Sequence, residues 1–163
     1  QEIIEFPVLA VNSRTLEIES KFHEFVKPLR SKRISTFCTE LTNITQEIVN
    51  RSEIFPKVLD KFEIWMTEQG FLTGEFSFAF VTCGDWDLSY MIKKQCRTSQ
   101  IHVPPYFDNW INIKETFKYA LNVPRQLSLQ KMLDFLKMEF KGRPHSGIDD
   151  TYNTALILIR LIE

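Results

Sequence analysis

Phe76-Ser77-Phe78-Ala79-Phe80-Val81-Thr82-Cys83 runs straight into Gly84-Asp85-Trp86-Asp87. The first eight residues alternate large and small side chains without a single charge. A run of that length, closed by a glycine, reads as a strand rather than a helix. Because neither alternating set carries a charge, both faces are expected to be covered, as in a central strand under helices. Two acids and a tryptophan then arrive at its carboxyl end, where open α/β sheets place their ligand sites. Capping the helix that follows, through Leu88, Met91, Ile92 and Cys96, is the simpler role for such acids. An uncharged strand that delivers two acids and a Trp together favours a functional one.

A second polar cluster lies near the end of the chain, in Gly142-Arg143-Pro144-His145-Ser146-Gly147-Ile148-Asp149-Asp150. Glycine and proline mark a tight loop, and Tyr152 to Ile162 continues as an apolar run that reads as a buried helix. Asp149 and Asp150 therefore fall in its cap and first turn, where carboxylates suit the positive end of the helix dipole. The five-residue spacing to His145 also permits more than capping. Asp150 can hold a metal ion while the imidazole reaches a water on it, the minimal apparatus for hydrolysis at neutral pH.

The rest of the chain supplies the frame. Gln1 to Val11 reads as a strand, Asn12-Ser13-Arg14 as a turn, and Leu16 to Val26 as an antiparallel partner closed by Pro28. The loop after it carries Lys27, Arg30, Lys32 and Arg33; it is a solvated turn or a guide for phosphates. Ile34 to Ile48 reads as two short helices around Thr42-Asn43-Ile44-Thr45, with Thr45 as an N-cap. Phe55 to Gln69 is a helix with Leu59, Phe62 and Trp65/Met66 on its core side and Gly70 as its stop. Trp110 to Leu121 and Ser128 to Met138 read as helices, the second with Leu129, Met132, Leu133 and Leu136 facing the core. His23 and His102 read as incidental.

The 163 residues suit one α/β domain, residues 1–163, with 44% hydrophobic and 25% charged residues. Fourteen phenylalanines predict an aromatic core. A net charge of −1 means that a polyanion must be met by a local basic patch or by metal ions. Cys38, Cys83 and Cys96 are odd in number and widely spaced, as free thiols of the cytoplasm or nucleus would be. No apolar run is long enough to cross a membrane.

Five blocks in order, Gln1 to Pro7, Phe37 to Thr42, Gly84 to Leu88, Trp110 to Asn112 and Gly142 to Asp150, resemble the ERI-type exoribonucleases. These are DEDDh exonucleases on a ribonuclease-H-like fold, a mixed sheet flanked by helices. Within that group the chain resembles the prion-protein-interactor type. The resemblance implies that Asp87, and not Asp85, is the metal-binding acid of the second motif, that Asp150 is the last metal-binding acid, and that His145 is the general base. Ser146 stands where tyrosine-type cousins carry their Tyr, which indicates the His variety. Phe37, Leu41 and Trp86 match the pocket for the terminal nucleotide. Two Mg²⁺ or Mn²⁺ ions are implied, and oxygen-only ligands suit them better than zinc. The implied substrate is the 3′ end of RNA, with DNA or structured RNA as open alternatives and no membrane partner. Arg143 and Lys141 are candidate phosphate contacts, solvated surface being their simpler role.

Two positions depart from the family pattern. Asn43 replaces a usual Gly, and Asn is the next most tolerant residue for a left-handed backbone. The family's first strand, with its Asp-Phe-Glu, has no counterpart, and with it go two of four metal-binding carboxylates. That strand lies mid-sheet, so the expectation is a polypeptide extending upstream of Gln1, or another segment filling the slot. On these residues alone Asp87 and Asp150 should lie close together in an incomplete metal site. The competing reading is a binding or scaffold module that kept the fold without the chemistry.

Overall fold

A computed structural model describes all 163 residues. Strands β1 (Glu5–Val11) and β2 (Ile18–Lys27) form the expected antiparallel hairpin, with Glu5 opposite Phe25 and Val8 opposite Phe22. Its turn is held by Asn12, whose Oδ1 accepts from the N–H groups of Arg14 and Thr15. The short β3 (Glu53–Ile54) runs parallel to the end of β2. Strand β4 (Phe80–Thr82) pairs in parallel with β5 (Trp110–Asn112) in a separate two-stranded sheet.

The uncharged run at Phe76 is thus less of a strand than its composition implies. Only three residues pair, on one side, and Phe76 and Phe78 are exposed. The physical reason is its partner, since β5 offers only three residues for pairing. Strands β1 and β4 each keep one unpaired edge, and no segment of the 163 residues lies against either as a second partner. The sheet is therefore in two pieces. The block at Trp110 is also corrected. It begins as β5, and Asn112 then caps α5 (Ile113–Ala120) by accepting the Lys114 N–H.

Most helices follow their local signals. Ser35 and Thr45 cap α1 (Thr36–Thr42) and α2 (Gln46–Arg51), and Asn43 turns the chain between them at φ +63°. Helix α3 (Phe55–Glu68) has Pro56 in its first turn and stops before Gly70, at φ +80°. A π-helical turn, Asp87–Met91, opens α4 (Ile92–Thr98). Ser128 caps α6 (Leu129–Phe135), which ends short of the expected Met138 because Lys137 turns left-handed at φ +57°. Helix α7 (Gly147–Ile162) closes the chain.

Two cores result. In the first, the Phe62 ring is surrounded by Phe6, Phe22, Phe80 and Phe107, so the aromatic-rich interior is borne out. The second joins α5, α6 and α7 through Ile113, Phe117, Met132, Leu133 and Ile157. The three cysteines are unpaired.

At the hairpin's open end, the Glu2 carboxylate accepts from the backbone N–H groups of Leu29, Arg30 and Ser31, at 2.8–2.9 Å. Partial burial pushes its pKa up, but the three N–H donors together outweigh that and leave it below the ordinary value. A lowered carboxylate pKa stabilises above the unfolded value, about 4.3, and that stabilisation is lost as pH falls through the folded value. Glu2→Gln should therefore lower amide protection at residues 29–31 by about two- to fivefold at neutral pH, as for an exposed charged contact. Hydrogen exchange should show the difference vanishing at acid pH; equal protection in both proteins at pH 7 would disprove the clamp.

Candidate active site

Asp87 stands on the first residue of the π-helical turn, just beyond β4. One extra residue in that turn lets the Ile92 N–H reach the Asp87 carbonyl, a local widening often found at functional sites. Apolar Leu88, Met91, Ile92 and Cys96 anchor the segment in the core, so the intervening polar face turns outward with Asp87 and Trp86.

The two acids of this loop have different duties. Asp85 accepts from Trp110 Nε1 and Asn112 Nδ2, both at 2.9 Å, and so ties the loop to β5. Asp87 has no such partner. It is exposed as a residue, yet enough protein surrounds its carboxyl for lost hydration to push its pKa up, while the Lys114 ammonium pulls it down.

Asp150 reaches the same place from α7. It lies in the first turn, as its capping pattern predicts, with the His145 backbone N–H 3.3 Å from Oδ1. Burial pushes its carboxyl up, the His145 N–H and imidazole lower it, and Asp149 and Glu5 raise it again. Cys83, at the end of β4, marks the convergence. Burial is the main cause of its raised thiol pKa, Lys114 lowers it, and the charges of both Asp87 and Asp150 raise it. Both carboxylates are near enough for their charges to act on the Cys83 thiol, and each is short of solvation, which makes this the candidate place for a cation.

His145 is exposed and left-handed, at φ +69°. Its loop is pinned on both sides. The Asp149 carboxylate accepts the Arg143 N–H at 3.0 Å and packs where a side chain on Gly142 would stand, which explains the glycine there. Arg143 is exposed, and one end of its guanidinium is engaged. Its Nη2 donates to the Glu40 carbonyl at 2.5 Å, bracing the loop against α1. Lys141 Nζ sits 3.9 Å from Glu139.

Helix α1 carries two of the three expected pocket residues. Phe37 is 71% exposed, Leu41 37% and Trp86 54%. Rings this open are not core, so their simpler role fails. Tyr90, which sequence reasoning passed over, packs against Trp86 with ring centroids 4.4 Å apart. Its position four residues after Trp86 on a helical turn was the available signal.

The other missed residue is Glu5. Its carboxylate, with the side chain 9% exposed, accepts the N–H groups of Gly147 and Ile148 at 2.9 and 3.0 Å. His23 Nε2 lies 2.9 Å from the same group, so this histidine is not incidental. Ser146 makes no side-chain cap; a residue 142 positions away does the capping. Gly147 has no room for a side chain, because a Cβ would stand 2.7 Å from Glu5 Oε2.

An exonuclease family model, RNase_T, matches residues 1–158. The chain belongs to the RNase_T exonuclease family. Human ERI1 exoribonuclease 3 is 44% identical over 158 residues, which are 97% of this chain and 47% of that protein. Human 3′-5′ exoribonuclease 1 is 42% identical over 163 residues, 99% of this chain and 46% of that protein. The chain thus spans about half the length of these curated relatives. The nuclease domain of 3′hExo, a DEDDh family member, solved bound to rAMP, superposes with a TM-score of 0.95 at 42% identity. The match covers 98% of this chain and 80% of that one. As a DEDDh-type exonuclease domain, the chain has the α/β fold expected of it.

Glu5→Ala in this exonuclease domain removes the only side-chain cap on α7 and strands His23. A cost of about 2 kcal/mol is expected, with faster amide exchange at Gly147 and Ile148. Glu5→Gln keeps one carbonyl oxygen and should lose about half as much. Urea unfolding of the two variants checks this, and equal stability of Glu5→Ala and wild type would overturn the role.

Proposed function

We propose that this chain is the nuclease unit of a metal-dependent 3′-5′ exoribonuclease that releases single nucleotides from RNA 3′ ends. The observation that carries the proposal is that Asp87 and Asp150, from two separate helical starts, both act on the Cys83 thiol through their charges, with His145 bonded to Asp150 and the exposed Trp86 next to Asp87. Its likeness to a nuclease domain solved with rAMP supports the same reading.

The donor set fits hard divalent ions. Asp87 and Asp150 are oxygen ligands whose hydration is already reduced, and Mg²⁺ and Mn²⁺ prefer such ligands. Asp87 and Asp150 would supply two of the ligands, since no group of three His, Cys, Asp or Glu side chains in the structure is placed to hold an ion by itself. Bound there, two such ions supply Lewis-acid stabilisation of the charge on the scissile phosphate.

The chain's own residues do the rest. Phe37, Leu41 and Trp86 hold the terminal base by stacking and apolar contact, which every base can satisfy. His145, solvent-accessible at the mouth of α7, takes the proton from the attacking water. Its backbone N–H on Asp150 keeps the imidazole and the carboxylate in one constellation. Arg143 holds α1, and with it the pocket, against the loop that carries the base. Unpaired cysteines suit a reducing compartment, the cytoplasm or nucleus.

Incubating the full-length protein with end-labelled RNA should yield mononucleotides from a free 3′ hydroxyl in Mg²⁺ or Mn²⁺, and nothing in EDTA. Internal cuts, or full activity in EDTA, would sink the proposal. His145→Asn should lower turnover about a hundredfold to ten-thousandfold while keeping metal affinity, whereas Asp87→Ala should lose both. Loss of metal binding in His145→Asn would make the imidazole a ligand instead of a base.

Trp86→Ala and Phe37→Ala should each weaken nucleotide binding by about 1–3 kcal/mol without favouring a base. Because both rings are exposed, their thermal melts should match wild type. Base-dependent losses in calorimetric titrations with the four mononucleotides would instead indicate hydrogen-bonded readout.

A further inference from the structure

The basic loop between β2 and α1 takes no part in the site described above. Lys27, Arg30, Lys32 and Arg33 place four cations in seven residues that contain no acid, in a chain whose net charge is −1. Arg30, Lys32 and Arg33 are exposed, and none of the four forms an ion pair. A loop of free cations is ordinarily a solvated turn. Three observations set this one apart.

First, its backbone is held, not free. Glu2 gathers the N–H groups of residues 29–31. Gln46 Nε2 donates to the Lys32 carbonyl, and Gln46 Oε1 accepts the Ile34 N–H. The Glu2 carboxylate is spent on these backbone donors, so the side-chain cations keep their charge for something else. Second, the loop leads directly into α1, with Phe37 only four residues after Arg33. Third, it leaves the hairpin at the end where the site lies. Phe25 pairs with Glu5, and Glu5 holds the start of α7 with Asp150.

We propose that this loop binds the phosphates of the RNA strand on the 5′ side of the terminal nucleotide. The inference deepens the exonuclease reading and rests on it. With the last base stacked at Phe37 and Trp86, the preceding nucleotides leave the pocket past α1 and its incoming loop. A negative polymer there meets a fixed row of guanidinium and ammonium groups, while the domain as a whole offers it no net attraction. Such contacts read no sequence; they add affinity that falls with salt.

The test compares full-length wild type with the triple variant Arg30→Gln/Lys32→Gln/Arg33→Gln on two substrates. One is a 20-nucleotide single-stranded RNA and the other a dinucleotide that ends before the loop. For the long RNA, kcat/KM at about 0.1 M salt should fall about tenfold. The slope of log affinity against log salt should shrink by about 2, at roughly 0.7 per lost phosphate contact. Dinucleotide cleavage should not change, and Arg30→Lys/Arg33→Lys should behave as wild type. Equal losses on both substrates would show that the loop acts only through the fold. An unchanged long-RNA affinity would overturn the proposal and leave the patch to solvent or to an acidic protein. If wild type cleaves neither substrate, the exonuclease reading fails separately, and equilibrium binding of the same RNA still decides the loop.

Discussion

The Glu5 carboxylate is the contact on which the site depends. It joins the first residue of β1 to the first turn of α7 across 142 residues, and does so through two N–H groups that a helix otherwise leaves without partners. Charge-assisted bonds to backbone are among the strongest a carboxylate makes, and this one is shielded from water. Because α7 begins where Glu5 holds it, this side chain, with the Asp149 and Arg143 contacts of the preceding loop, helps place Asp150 and the left-handed His145 relative to the sheet. The glycine at 147 follows from the same contact, since the carboxylate occupies the room a Cβ needs.

Around this clamp the charges fall into two kinds. Glu5, Asp85 and Asp149 are satisfied by N–H donors. Asp87 and Asp150 are not satisfied in proportion to their lost hydration, and both are pushed toward the protonated form. A fold keeps such groups only where something else compensates them, and Lys114 does so in part. The acids that build the domain are thereby distinguishable by their partners from the two left short of them, though they look alike in composition.

That difference explains what the sequence shows and what it hides. The hairpin, α3, the caps at Ser35, Thr45 and Ser128 and the left-handed Asn43 were legible because each is set by neighbours within a few residues. The places of Asp87 before α4 and of Asp150 in the first turn of α7 were legible for the same reason: compact local patterns carry them. The separation of Asp85 from Asp87 by duty needed the resemblance, and the structure accounts for it through Trp110 and Asn112. Glu5 was hidden because its partners are remote, although one acid among Ile3, Ile4, Phe6 and Val8 was a visible exception to an apolar strand. Strand β5 was hidden because Trp110-Ile111-Asn112 is too short to show a period before α5 begins. At Phe76 and Phe78 composition overstated the strand, since a ladder is only as long as its partner and local sequence does not report the partner.

With β1 and β4 unpaired to each other, side chains must hold the two pieces of sheet together. Phe62 of α3 touches Phe6 and Phe22 of the hairpin at 5.2 and 5.3 Å between centroids and approaches Phe80 of β4 at 6.4 Å. The buried Gln95 of α4 adds a polar tie, its Oε1 accepting the Ile3 N–H at 2.8 Å. On the far side Ile157 of α7 packs with Ile113 of α5, the helix that continues from β5. Asp87 therefore moves with β4 and α4, and Asp150 with β1 and α7, and these three bridges set the distance between them. Aromatic packing is dense and resists small displacements, whereas a single ladder edge slides more readily. The spacing of the two carboxylates is thus fixed by cores far from solvent, and the exposed rings and the basic loop can meet a flexible strand without disturbing it.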